Sequence, residues 1–350
     1  MDRETALARL RDGFVPVAPD QTFVVDRFRP EDGPGLARLF FAIYGESYPI
    51  TDYYDPSALS AANADGRLHS VVARTPSGDV VGHGALYRSG PPNPKLLELG
   101  LGLVLPDYRQ SFATFRINQL LFDQVAPALA LDGVFGEAVC HIVATQKISR
   151  IFGLSPVAIE LDLMPEGSYA KEGSPGRVST LFVFRPFGTP EQPLFLPPAY
   201  REELELALSD LGLPRSLAPA EAAFPAGTAT RLAVEVFPWA GVLRANVASA
   251  GADLARVVDA IERRADDEGL AVRQAYLSLA EPQAGAATEA FRERGYVLGG
   301  LVPTWFGGDA LLLQRLVRPP DLTSIRLHAE KARTLLSFVE RDLARREPAR

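Results

Sequence analysis

Apolar and polar residues alternate over 97–104, LELGLGLV, which predicts a strand, and the spacing of Ile117, Leu120 and Leu121 predicts a helix soon after it. In the strand Leu97, Leu99, Leu101 and Leu103 fall on one face and Glu98, Gly100 and Gly102 on the other, because successive side chains point to opposite sides. The leucine face is expected in the core. The other face carries one carboxylate beside two gaps, and glycine weakens a strand interior unless something must lie close to the backbone, so a ligand against this strand is expected. Between strand and helix, Pro106, Tyr108 and Arg109 make a turn that aims backbone N–H groups and a guanidinium at whatever sits above the helix start. A phosphate suits that position.

The same patterns organise the remainder. They predict a strand over 22–28, a helix over 31–44, a loop rich in tyrosine (Tyr44, Tyr48, Tyr53, Tyr54), and a short helix from Pro56 ending before Gly66. Strands over 69–74 and 80–87 are joined by the turn TPSGD. After the helix that runs to about residue 130 come a strand over 134–139, a helix over 145–151, and strands over 157–163 and 178–184. Prolines 186, 190, 193, 197 and 198 stop regular structure, so residues 185–228 read as a linker carrying one helix over 199–211. A second series fills 229–318: strands over 231–237 and 242–247, a helix over 253–266, a strand over 275–279, a helix over 284–294, and strands over 297–303 and 310–316. Residues 1–21 form a polar lead. Residues 319–350 hold a last helix over 324–345, with Ile325, His328, Ala332, Leu335, Leu336 and Val339 on its apolar side. The expected fold class is α/β with a mixed sheet. The halves echo each other, Gly153-Leu154 with Pro165 downstream against Gly295-Tyr296 with Pro303 downstream, the pattern of a duplication.

A chain of 350 residues exceeds the usual single domain of roughly 100–200 residues, so two domains are expected. The hydrophobic fraction of 47%, charged fraction of 23% and net charge of −7 are those of a globular protein with no footprint for nucleic acid. With one cysteine, Cys140, no intrachain disulfide can form, which fits a cytoplasmic location. The segment MDRETALARLRDGF lacks the apolar core of a signal peptide, and no apolar run is long enough to cross a bilayer, so no membrane association is expected.

Glu98 is the candidate general base, because a carboxylate facing an enclosed cleft can have its pKa raised toward neutrality; the other reading is an exposed or salt-bridged strand residue. Arg109 reads as a phosphate contact, against a solvated surface arginine. His83 and His141 lie in or beside strands, where each either relays a proton or is hydrogen-bonded near the core. Cys140 and His141 are neighbours on a strand and point to opposite faces, so they make a poor dyad. Metal-ligand spacing, a GxSxG elbow, a GxxxxGK[ST] loop, HExxH and CxxC are all missing from the chain.

Glu98 to Gln119, the strand pair around Gly82-His83, and Ser149 to Leu154 together resemble the GNAT superfamily of acyl-CoA-dependent N-acyltransferases. The resemblance covers about 22–184, with a weaker, degenerate copy over about 229–318. It implies tandem GNAT-like units, acetyl-CoA or another acyl-CoA as co-substrate, and direct transfer to a small-molecule or peptide amine. By the resemblance the donor lies along Leu103 and Val104, and its pyrophosphate lies on Arg109, Gln110, Ser111, Phe112, Ala113 and Thr114. Glu98 and His141 would act catalytically, and Tyr48, Tyr53, Tyr54 and His83 would face the acceptor. Phe112 stands where the family pattern has glycine, and Ser149 and Phe291 stand where it often has an acidic tyrosine. The second copy has no phosphate loop of the usual kind and would shape an acceptor site or an interface. The alternative from another class is a catalytically silent module that binds a ligand or a protein.

Overall fold

The computed structural model describes residues 1–169, 173–174 and 176–346. Two units are distinguished: residues 1–90 with 97–134, and residues 91–96 with the chain from Phe135 onward. The first contains α1 (Arg3–Asp12), β1 (Val24–Arg27), α2 (Gly33–Tyr44), α3 (Pro56–Ala64), β2 (Leu68–Arg74), β3 (Val80–Tyr87), β4 (Leu96–Val104), α4 (Ala113–Leu120) and the short α5 (Ala126–Ala128). Local chemistry sets these boundaries. Gly45, at φ +59°, ends α2, and Asp55 starts α3 by accepting from the Ser57 N–H at 2.9 Å, with Pro56 in the first turn. The β2–β3 hairpin closes through Thr75 N–H to the Asp79 carbonyl at 2.9 Å, with Gly78 at φ +88°.

Strands β1 to β4 pair antiparallel in sequence order. On one face Leu36, Leu39, Phe40, Leu59, Leu68, Val72, Ala85 and Leu103 form a core with α1, α2 and α3. Each fully buried leucine, valine or phenylalanine among them contributes roughly 1.5–3 kcal/mol. On the other face α4 lies close to β3, because Gly82 and Gly84 leave room for Ile117; a Cβ at Gly84 would stand 2.7 Å from Ile117 Cγ2.

The alternation expected along β4 breaks at Leu101. The pairs Glu98–Tyr87 and Gly100–Ala85 are followed by Leu103–His83, so β4 has one residue more than β3 across this stretch, a bulge at Leu101–Gly102. Leu101 sits at φ +56°, a conformation that costs a side-chain-bearing residue roughly 1–2 kcal/mol. Residues 83, 85 and 87 share one face of β3, so Leu103 leaves the leucine face and joins Glu98. The two expected gaps differ as well. Gly100 is filled by Tyr87, whose ring and hydroxyl would stand 3.0 Å from a Cβ there, whereas nothing lies within 4 Å of a Cβ at Gly102.

Running from β5 (Gly133–Val139), the second unit contains α6 (Ala144–Ile151), β6 (Ser155–Met164), β7 (Val178–Pro186), β8 (Gln192–Leu196), α7 (Arg201–Leu208), β9 (Arg215–Pro219), β10 (Arg231–Phe237), β11 (Val242–Ser249), α8 (Leu254–Asp267), β12 (Val272–Ser278), α9 (Ala284–Arg292), β13 (Val297–Val302), β14 (Ala310–Leu316) and α10 (Glu330–Arg346). Its strands lie in the order β5-β7-β6-β13-β14-β12-β11-β10. The series β5-β7-β6 recurs reversed as β13-β14-β12, around the β6–β13 junction at Ala158 and Gly300. The two matching helices end alike. Gly153 (φ +76°) and Gly295 (φ +79°) are left-handed, and the next amide returns five residues back, Leu154 to Ser149 at 3.0 Å and Tyr296 to Phe291 at 3.2 Å.

Two expectations are corrected here. The segment expected as a linker with one helix also carries β8 and β9, which pair parallel, because prolines at strand ends and edges do not forbid a two-stranded ladder. The last helix starts at Glu330 instead of 324, so Ile325 and His328 precede it. That preceding stretch is held by Gln146, whose amide donates to the Arg326 carbonyl at 2.8 Å and accepts from the His328 N–H at 3.0 Å.

Candidate functional site

At the β4 bulge, His83 is 1% exposed and bonded through both ring nitrogens, Nδ1 to the Leu101 carbonyl at 2.8 Å and Nε2 to the Ser70 hydroxyl at 2.9 Å. A carbonyl only accepts, so the proton is on Nδ1. Burial pulls its pKa down to about 4, against a smaller opposing effect of the Leu101 bond. His83 is therefore a neutral brace of the bulge and presents no surface to a substrate, contrary to the sequence expectation.

Glu98 is half-buried next to Gly100 and, by register, opposite Tyr87. Tyr53 lies close enough that Glu98, after burial itself, helps to push its phenol well above the ordinary value. The Tyr53 ring stacks on Phe40 at 4.8 Å, and Tyr48 meets Tyr53 edge-on at 5.3 Å. This loop is held from behind. Arg3 donates to the carbonyls of Glu46 (2.6 Å) and Tyr48 (2.7 Å), and the Tyr54 hydroxyl donates to the Gly45 carbonyl (2.8 Å) while accepting from the Tyr48 N–H (3.0 Å). Tyr54 is 1% exposed, which makes it a brace of the loop and not one of the substrate-facing tyrosines expected.

After the bulge, Leu103 is buried and Val104 half-buried, and both pair with β3, opposite His83 and Gly82. A tight turn at 106–108 brings Arg109 to the surface, its Nε 3.4 Å from the Val104 carbonyl. Ser111 donates its hydroxyl to the Tyr108 carbonyl at 2.6 Å and receives the Ala113 N–H at 3.2 Å, so the Ala113 amide is already used. Among the described residues no protein acceptor meets the N–H groups of Gln110, Phe112 and Thr114. Phe112 precedes α4 at φ −82°, so this backbone does not require glycine, and its ring is 72% exposed. Arg109, Gln110, Ser111 and Thr114 are exposed with it.

His141 belongs to the second unit, in the turn after β5, with its ring 4.7 Å from that of Tyr169. Burial, with a smaller effect of the Glu160 charge, pushes the Cys140 thiol up to about 12, so it is no nucleophile at neutral pH. Ser149 donates to the Thr145 carbonyl at 2.9 Å.

The reversed half of the second unit has its own strand-loop-helix, β11 into α8, and there the corresponding features are closed. β11 and β12 pair in parallel without a break from Val242–Val272 to Val247–Leu277. The amides ahead of α8 are taken by residues 228–230: Gly251 N–H donates to Thr230 Oγ1 at 3.0 Å and Ala252 N–H to the Thr228 carbonyl at 3.0 Å. A buried polar cluster that the sequence reading missed joins β6, β7 and β12. Glu160, 0% exposed, accepts from Thr180 Oγ1 (2.9 Å), Gln274 Nε2 (2.8 Å) and Tyr276 OH (3.0 Å). The Arg244 guanidinium lies 5.1 Å from the Tyr276 ring and 5.5 Å from that of Trp305.

A surface pocket of about 510 Å³ in the second unit is lined by Tyr200, Glu203, Arg341, Asp342 and Arg345. Its charges are matched internally, Arg345 to Asp342 at 2.8 Å and Arg341 to Glu203 at 3.6 Å. Among the described residues no group of three or more His, Cys, Asp or Glu side chains is placed to hold a metal ion, and no helix is long and apolar enough to cross a membrane.

No protein-family model matches the chain, and no curated protein sequence matches it. Among solved structures it is similar to an N-acetyltransferase from Staphylococcus aureus Mu50, with a TM-score of 0.39 and 14% identity over 47% of this chain and 98% of that one. A GNAT superfamily phosphinothricin acetyltransferase from Sinorhizobium meliloti, in complex with AcCoA, gives 0.38 and 17% over 48% and 89%. A ribosomal-protein-alanine N-acetyltransferase from Brucella melitensis gives 0.38 and 17% over 47% and 99%. Each spans about half of this chain.

Proposed function

We propose that the chain is an acyl-CoA-dependent N-acyltransferase whose first unit binds acetyl-CoA or another acyl-CoA and passes the acyl group directly to an amine. Arg109 and the amides of Gln110, Phe112 and Thr114 hold the diphosphate. Glu98 takes the proton that the amine sheds as its nitrogen bonds to the thioester carbonyl carbon; the carbon–sulfur bond breaks and CoA leaves as the thiolate, which water protonates. Tyr48 and Tyr53 line the acceptor side. The reversed half over 229–318 is a degenerate second GNAT-like unit that takes no cofactor.

One observation carries this reading. Near its end β4 has a bulge locked by His83, and it hands the chain to an arginine-led turn in which, among the described residues, the amides of Gln110, Phe112 and Thr114 meet no protein acceptor. Isothermal titration with acetyl-CoA is the test; absence of heat and of competition at about millimolar cofactor removes the enzymatic claim. The silent-module reading is favoured by Ser149, since a serine hydroxyl bonded to its own helix stands where the family often has an acidic tyrosine. Release of free thiol from acetyl-CoA in the presence of amines separates the two, because a silent module binds without turnover.

A further inference from the structure

We propose that Phe112 is a stacking platform for the adenine ring of a CoA thioester, with Phe115 beside it and Arg109 and Arg116 meeting the phosphates of the nucleotide. The inference rests on the acyl-CoA reading above. Phe112 is 72% exposed and Phe115, three residues on and so on the same side of the helix, is 38% exposed. A phenylalanine gains nothing from water, and here the backbone does not call for any particular residue, since φ at Phe112 is −82°. The ring is therefore imposed neither by packing nor by conformation.

Two arginines lie close to Phe112 in the chain, within a stretch (108–122) that Asp107 and Asp123 flank. Arg109 and Arg116 are exposed, and among the described residues neither has an ion-pair partner. Arg116 is one helical turn from Phe112, and the unmet amides of Gln110, Phe112 and Thr114 adjoin it. A flat π-face, two guanidiniums and free N–H donors on one short stretch match a ligand that joins a purine to phosphates. The nucleotide end of CoA is such a ligand, and its diphosphate is the group the adjoining turn is proposed to hold.

The experiment compares acetyl-CoA with acetyl-4′-phosphopantetheine, which lacks the nucleoside, on the full chain carrying Phe112, Phe112→Ala or Phe112→Trp, with circular dichroism confirming that each is folded. Phe112→Ala is expected to raise the Kd for acetyl-CoA about tenfold, the scale of one base–ring stack, and to leave the shorter thioester unchanged. Phe112→Trp is expected to keep acetyl-CoA affinity and to show indole fluorescence quenched by acetyl-CoA alone. Equal weakening of both ligands by Phe112→Ala, or of neither, overturns the stacking role while leaving the acyl-CoA reading in place. Failure of the unaltered protein to bind acetyl-CoA overturns both.

Discussion

His83 donates its Nδ1 proton to the carbonyl of Leu101, at the residue whose φ of +56° turns β4 out of regular extension. A protonated ring would lose the Ser70 hydroxyl as donor and carry a buried charge, and burial accordingly lowers its pKa from 6.5 to about 4. The unfolded chain binds the proton more readily, so the stabilisation is fully present above pH 6.5 and is lost as pH falls from 6.5 through 4. The shift corresponds to about 3 kcal/mol. Urea melts between pH 7.5 and 4 are expected to show this loss in the unaltered protein and a smaller loss in a less stable His83→Gln. Identical pH slopes for the two would exclude His83 as the source.

In the proposed reaction Glu98 takes the proton of the amine, while the diphosphate is assigned to the turn at 109–114. Glu98→Gln keeps the shape and removes the base. It is expected to lower kcat about a hundredfold or more, with the Kd for acetyl-CoA changed by less than about twofold. Loss of cofactor affinity to the same degree as turnover would reassign Glu98 to binding.

The amides of Gly251 and Ala252, ahead of α8, are met by Thr230 and Thr228, and Gly251 is what lets that segment lie so close. A Cβ at 251 would stand 2.5 Å from the Thr228 carbonyl oxygen. Titration is therefore expected to saturate at one acetyl-CoA per chain, and Gly251→Ala to cost about 2 kcal/mol or more through the backbone clash. A second equivalent of cofactor would show that the 228–230 segment opens.

Legibility in the sequence followed how far each pattern outran its neighbours. The helical repeat of Leu254, Val258 and Ile261 and the TPSGD turn were readable because local chemistry decides them, and both stand as expected. The bulge at Leu101 was not. Leucine has no preference for positive φ, and the alternation stays perfect in letters while the register slips by one residue. Leu103 therefore went to the wrong face, and His83 to the substrate. The Glu160 cluster was hidden for another reason: Thr180 on β7 and Gln274 and Tyr276 on β12 each look like ordinary polar positions, and only the sheet order brings the two strands to Glu160 on β6.

Asp162 offers a test of opposite sign to His83. It holds φ +51° in β6, and burial, opposed by Arg177, raises its carboxyl to about 6. The unfolded chain releases this proton more readily, so whatever the protonated form contributes is present below pH 3.8 and lost as pH rises through 6. Asp162→Asn keeps a residue tolerant of the left-handed region and removes the charge. It is expected to stabilise by about 1–2 kcal/mol at pH 7.5, discounted for partial exposure, and by little at pH 4. A destabilised variant at pH 7.5 would mean that the Arg177 interaction outweighs burial.

Arg215 and Asp309 form a bidentate pair in which the side chains are 3% and 0% exposed. Nε and Nη2 of Arg215 reach the two carboxylate oxygens at 2.7 and 2.9 Å, and Oδ1 also accepts the Thr304 N–H at 2.9 Å, at a residue with φ +57°. The pair ties β9, within the stretch expected as a linker, to the turn between β13 and β14. Removing one partner leaves an uncompensated buried charge, so Asp309→Ala is expected to cost about 3–5 kcal/mol. Replacing both, Arg215→Met with Asp309→Leu, removes the charge along with its solvation penalty and leaves the Thr304 amide as the main unmet group. The double variant should therefore be more stable than Asp309→Ala in urea unfolding. If the double is the worse of the two, the cost lies in lost packing and hydrogen bonds at the β13–β14 turn, and the orphaned guanidinium is not what destabilises the single variant.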